Sequence, residues 1–129
     1  MEKKLKKALI LGASSDIGIE IVENYLKNNY IVYGHYNKNS NQLKNIKKNN
    51  KNLFLYKFNF LKSEKEIHKF LNKREFKDSD IFINASAFVK SVDYRNVDTN
   101  VLFNSFKVNL LPNIFLTQRL GNLMYKKKQ

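Results

Sequence analysis

Four short apolar runs recur along the chain with helix-period segments between them. This alternation limits the possible folds more than any other feature of the sequence. The runs are Lys7–Leu11 (KALIL), Tyr30–Tyr36 (YIVYGHY), Leu53–Phe58 (LFLYKF) and Asp80–Asn84 (DIFIN). Short, nearly continuous apolar runs are the pattern of strands buried on both faces. Between the first two, Ile17, Ile21, Val22, Tyr25 and Leu26 fall on one helical stripe, and Asn28-Asn29 ends it. Ser40–Lys48 reads as a short polar helix. Ser63 followed three residues later by Glu66 is a capping box, ahead of the stripe Ile67, Phe70 and Leu71. A loop over 85–96 then leads to a long apolar period over Asp98–Lys126, within which Pro112 marks a kink or break. The order βαβαβαβα predicts an α/β fold: a Rossmann-like, doubly wound parallel sheet of about four strands in the order 3-2-1-4, with right-handed crossovers.

The 129 residues fit one domain, 1–129, and 43% of them are apolar, enough for a real core. With no cysteine, neither a disulfide framework nor a thiolate metal site is available. His35 and His68 are the only histidines and no carboxylate cluster accompanies them, so no metal is expected; His35 reads as a strand-end residue. The apolar run near the N-terminus is too short for a signal-peptide core or a membrane span, so a soluble cytoplasmic protein without membrane contact is expected, and Tyr125–Gln129 reads as a solvated tail. The net charge of +13 raises nucleic acid as a partner. The lysines are spread through every segment beside abundant asparagine, which disfavours that partner, and the positive field equally suits a phosphorylated cofactor.

Between the first strand and the first helix lies Gly12-Ala13-Ser14-Ser15-Asp16-Ile17-Gly18. Gly12 permits a tight turn off the strand, the small residues leave room for a diphosphate, and backbone N–H groups at the helix start attract it. Gly18 allows the helix to pack close. The alternative is an ordinary βα turn, where glycine and serine are common, and the spacing GxGxxG is absent.

The spacing that is present resembles the short-chain dehydrogenase/reductase family, whose cofactor turn reads TGxxxGxG. Gly12 and Gly18 match; Leu11 stands for the threonine and Asp16 for the middle glycine, where an aspartate can cap the helix instead. The resemblance implies cofactor contacts at Gly12, Ser14, Ser15, Ile17 and Gly18. Asn59-Phe60 after the third strand is similar to the family pair that lies along the adenine ring. Asn84-Ala85-Ser86 is similar to the N-A-G of the family segment NNAG, although Asn84 read alone is a polar residue closing a strand. Val108–Gln118 (VNLLPNIFLTQ) resembles VNLxGxFxxTQ, which makes Asn109 the family's catalytic helix asparagine, the group that fixes a helix kink and holds a water of the proton relay. Read without the family, Asn109 is an asparagine making a backbone contact on an apolar helix.

The family's catalytic serine and Tyr-x3-Lys lie downstream of the segment matched here, and Tyr125 is followed four residues on by Gln129. The resemblance therefore implies the cofactor-binding part of such an enzyme, whose family reaction is hydride transfer between NADPH and a carbonyl or alcohol, inactive alone and completed by a companion C-terminal fragment or a homo-oligomer. A non-catalytic NADP(H)-binding module and a basic nucleic-acid-binding protein are the other readings. NAD-preferring members carry an acid at the end of the second strand; here Tyr36 takes that place, followed by Asn37 and Lys38, which favours NADP with NAD possible.

Overall fold

The computed structural model describes residues 3–127. Four strands, β1 (Lys7–Leu11), β2 (Ile31–Tyr36), β3 (Leu53–Lys57) and β4 (Ile81–Asn84), form one sheet in the order β3-β2-β1-β4. All three pairings are parallel, with Leu9 opposite Tyr33 on one side and Phe82 on the other. The expected topology is therefore present, with strand ends trimmed by a residue at Tyr30, Phe58 and Asp80. No helix among the described residues is long and apolar enough to cross a membrane.

The two-residue period of a strand explains the layering. Ala8, Leu9, Ile10 and Leu11 are completely buried, because β1 has a neighbour on each edge and helices on both faces. Ile10, Val32 and Leu53 point to one face, where they pack on α1 (Asp16–Lys27) and α2 (Asn41–Lys48) through Ile19, Val22 and Leu43. Leu9, Leu11 and Tyr33 point to the other, against α3 (Glu64–Leu71), α4 (Arg74–Lys77) and α6 (Leu111–Lys126) through Ile67, Phe70, Phe76, Leu116 and Leu120. A near-continuous apolar strand is thus read twice, once by each layer.

Local signals set most helix ends. Ser63 and Glu66 close the capping box, the serine Oγ accepting from the Glu66 amide and the Glu66 carboxylate accepting from the Ser63 amide. α1 ends at Asn28, and Asn29 adopts the left-handed conformation (φ 61°) that asparagine tolerates. The four-residue α4 was not signalled by periodicity; it forms where Phe76 is drawn fully into the core. Pro112 divides the last apolar segment into α5 (Thr99–Asn109) and α6. The break falls at Leu110, since a proline that cannot bond back to residue 108 is well placed in the first turn of a new helix. The tail expected over Tyr125–Gln129 starts inside α6, with Tyr125 exposed; Lys128 and Gln129 lie outside the described residues.

Candidate functional site

In an open parallel sheet, a crevice forms at the carboxyl ends of the strands where successive connections leave in opposite directions. Here the chain moves outward from β1 to β2 to β3, then returns to the far side of β1 for β4. A cleft of about 250 Å³ opens there. Gly12, Ser14 and Ser15 come from the turn after β1, His35 and Asn37 from the end of β2, and Asn59 and Phe60 from the segment after β3. Ala85 and Ser86 come from the segment after β4.

The turn after β1 is shaped by its own glycine. Gly12 has φ 69°, and a Cβ there would run into the backbone of Ala85 and Ser86, so the residue both turns the chain and admits the neighbouring segment. A Cβ on Gly18 would strike the Gly12 carbonyl, which fixes how closely α1 approaches the turn. Ser15 caps α1: its Oγ accepts from the Gly18 amide at 3.0 Å and donates to the Gly12 carbonyl at 2.9 Å. This corrects the expectation that Asp16 is the cap. Asp16 is the first helical residue, exposed, where a negative charge suits the helix dipole, and it does not line the cleft. Ser15 has the extended backbone that a capping residue needs. Among the described residues the N–H groups of Ser14, Asp16 and Ile17 have no hydrogen-bond partner, which leaves donors at the helix start for an anion. The Ile17 side chain itself is 71% exposed and outside the cleft.

The other walls are built by amides and aromatic rings. Asn59 turns the chain by accepting the Leu61 amide at 2.9 Å, and Phe60 is buried against His35. Asn84 accepts the Ser86 amide and hydroxyl, and its own amide donates to Asn113 on α6 at 2.8 Å. Asn109, at the end of α5, reads the backbone of Phe88 in both directions: Oδ1 accepts its N–H at 2.7 Å and Nδ2 donates to its carbonyl at 3.1 Å. Asn113 Nδ2 donates to the Asn109 carbonyl that the helix break leaves open. A chain of asparagines thus ties the segment after β4 to the junction of α5 and α6.

Of the residues singled out from the sequence, Gly12, Ser14, Ser15, Asn37, Asn59, Phe60, Ala85 and Ser86 meet in the cleft. Gly18 and Asn84 lie behind it as supports, and Asn109 stands beside it with its neighbour Val108 on the wall. Tyr36 and Lys38 do not line it. Strand alternation turns Tyr36 toward the α1 and α2 side, while His35 faces Phe60 and Phe70 on the other. Sequence reasoning missed Phe58, Phe88 and, above all, His35, which is 2% exposed and hydrogen-bonded to the glycine turn. A histidine inside an otherwise apolar strand run was the available signal. Among the described residues His35 is also the only titratable side chain lining the cleft, and burial pushes its pKa down to about 4. The cleft can therefore hold a phosphorylated ligand through N–H groups, hydroxyls, amides and ring faces without presenting it a negative charge.

A family model described as short chain dehydrogenase matches residues 6–129. A search among curated proteins gives no match. Among solved structures, a short-chain dehydrogenase from Streptomyces avermitilis is similar at 18% identity and a TM-score of 0.80, over 98% of this chain and 47% of that one. ElxO with NADP bound is similar at 22% identity and a TM-score of 0.74, over 96% and 52%. A 4-hydroxyisoleucine dehydrogenase mutant complexed with NADH and succinate is similar at 22% identity and a TM-score of 0.79, over 95% and 51%. At these identities the likeness is one of fold. The chain spans about half the length of the solved structures it matches.

Proposed function

The chain belongs to the short-chain dehydrogenase family, and from that premise we propose that it is the NADP(H)-holding portion of such an oxidoreductase. One observation carries the reading. The glycine turn ahead of α1, with the unpaired N–H of Ser14, and the polar segment after β4 line a single cleft at the sheet's switch point. The residues present fit a dinucleotide. Ser14, on the cleft wall, offers its backbone N–H and its hydroxyl to the diphosphate, at a helix start where the Asp16 and Ile17 N–H groups are also unpaired. Asn59 and Phe60 border the place for the adenine ring, and Ser86, held by Asn84, stands on the opposite side toward Asn109.

Among the described residues no carboxylate lines the cleft, and Asn37, just past the end of β2 and followed by Lys38, stands on its wall, so a 2′-phosphate meets no repulsion there. This favours NADP(H) over NAD(H). When bound, the nicotinamide supplies a hydride donor or acceptor; the chain's own residues bind and orient it. Asn109 holds the Phe88 backbone and thereby the wall beside Ser86. His35 is committed to two hydrogen bonds and Ser86 Oγ to Asn84, so neither is free to pass a proton to a carbonyl. We therefore expect binding without turnover from this chain alone, with reduction of a carbonyl substrate requiring added residues from a companion polypeptide or a second copy.

Calorimetric titration of the full chain with NADPH and with NADH tests the reading. Saturable binding, tighter for NADPH and unaccompanied by NADPH oxidation with carbonyl substrates, is expected. Absence of heat with both nucleotides overturns it.

A further inference from the structure

The floor of the cleft is a side chain to which the proposed function gives no role. His35 Nδ1 lies 3.1 Å from the Gly12 amide nitrogen, and Nε2 lies 2.8 Å from the Phe58 carbonyl oxygen. An amide N–H only donates and a carbonyl only accepts, so the two partners fix the ring: Nδ1 bare, Nε2 protonated, neutral overall. The backbone carbonyl of the same residue accepts the Ala13 N–H at 2.8 Å. Two successive amides of the glycine turn are therefore oriented by residue 35, one by its ring and one by its main chain. On the far side, the Phe58 amide donates to the Tyr36 carbonyl at 3.0 Å, which locks the exit of β3 to the same strand end. Because the ring takes the Gly12 amide, that peptide plane is set, and the free donors are those further on, at Ser14, Asp16 and Ile17.

We propose that His35 is a positioning residue for the dinucleotide: its neutral imidazole is a strut that sets the Gly12 peptide and spaces the glycine turn from the Phe58–Phe60 wall, and a second proton on the ring releases the strut. The identity of the ligand rests on the reading above; the strut itself does not. The second proton would sit on Nδ1, head-on to the Gly12 N–H, so it cannot be added without breaking that bond. The groups packed on the ring are Phe60 at 4.8 Å and Phe70 from α3 at 5.7 Å between centroids, together with the Gly12 and Phe58 backbone. None of these titrates, and no charged group acts on the ring. Burial alone drives the pKa down, to about 4, against a smaller opposing effect of the Phe58 carbonyl. The ring is therefore neutral, and the strut in place, at every pH well above about 4.

Two measurements on the full chain test this. In the ligand-free protein, nitrogen NMR of the imidazole should show Nδ1 unprotonated and Nε2 protonated at neutral pH, with a titration midpoint near 4. The Nδ1-protonated tautomer, or a midpoint near the ordinary value, overturns the proposal. Second, NADPH affinity at pH 7.5 should fall at least ~10-fold in His35→Phe, which keeps a ring but no acceptor. In His35→Asn, whose Oδ1 can still accept from Gly12, it should stay within ~3-fold of the original. A merely space-filling role reverses that order, since phenylalanine fills the site and asparagine leaves a cavity. Should His35→Phe not fold, His35→Gln replaces it, because it keeps a donor toward Phe58 and loses the acceptor for Gly12; wild-type affinity in that variant overturns the proposal. If the unsubstituted chain binds no NADPH, the dinucleotide reading falls, while the NMR measurement still decides the strut.

Discussion

Gly12 and Gly121 show how differently one residue type is used in this chain. At Gly12 a methyl group meets the Ser86 backbone and must adopt φ 69°, whereas at Gly121, inside α6, it meets nothing within 4 Å. Gly12→Ala is expected to cost about 2–3 kcal/mol of stability and to abolish dinucleotide binding. Gly121→Ala is expected to gain up to about 1 kcal/mol through helix propensity; the two urea midpoints should move in opposite directions. At Asn37 the question is specificity: Asn37→Asp puts a carboxylate where none lines the cleft and should weaken NADPH relative to NADH by ~10-fold, read by parallel titrations. His35 gives the stability a pH dependence of its own. Its folded pKa is about 4, below the ordinary 6.5, so the unfolded chain binds the extra proton first. Stability is intact above about pH 6.5 and is lost as pH falls toward about 4, by on the order of 3 kcal/mol. Chemical denaturation across that range should show this slope, and His35→Phe should flatten it.

At the scale of elements, the helices divide by what ends them. α3 was readable from Ser63 and Glu66 because a capping box is closed by residues three apart. Ser63→Ala should cost about 1 kcal/mol, measured as a shift in the urea midpoint without any change in nucleotide affinity. The start of α1 was readable only as a place. Ser15 and Asp16 are both good capping residues, and the choice between them was made by the extended backbone of Ser15 and by the packing of Gly18 on the Gly12 carbonyl. The break between α5 and α6 was readable from Pro112, but its consequence for Asn109 was not. That asparagine reaches Phe88, twenty-one residues earlier, a pairing set by where β4 leaves the sheet. Asn109→Ala should free the segment after β4, seen as faster hydrogen exchange at the Phe88 amide while the β1 amides keep their protection.

Across the whole molecule, both edges of the sheet and one helical face stand uncovered among the described residues. β4 pairs only with β1, so its outer edge offers unpaired backbone groups. Along α5, the break and α6, Phe103, Phe106, Leu110 and Ile114 recur every three or four residues and are each between 38% and 61% exposed. Such an apolar stripe favours association. The chain is expected to self-associate, or to gain stability when a partner covers this side. A sedimentation profile with a monomer mass at every concentration contradicts that. The net charge of +13 tends to keep copies apart, so association should strengthen as salt is added. Weakening by salt would point to a charged partner in place of an apolar one.

The sequence by itself determined the layer plan. The alternation of apolar runs with helix-period segments specifies a two-faced parallel sheet, and the glycine turn, the capping box and Pro112 act through neighbours only a few residues away, which makes them visible in a linear string. Tertiary structure alone decided which of the marked residues share a cleft. Strand alternation sent Tyr36 to one side of the sheet and His35 to the other. The return of the chain to β4 brought Ser86 against Gly12 and Phe88 against Asn109. These contacts join residues far apart in the chain, and their geometry depends on register and on the direction each segment leaves the sheet, neither of which any local pattern of residues encodes.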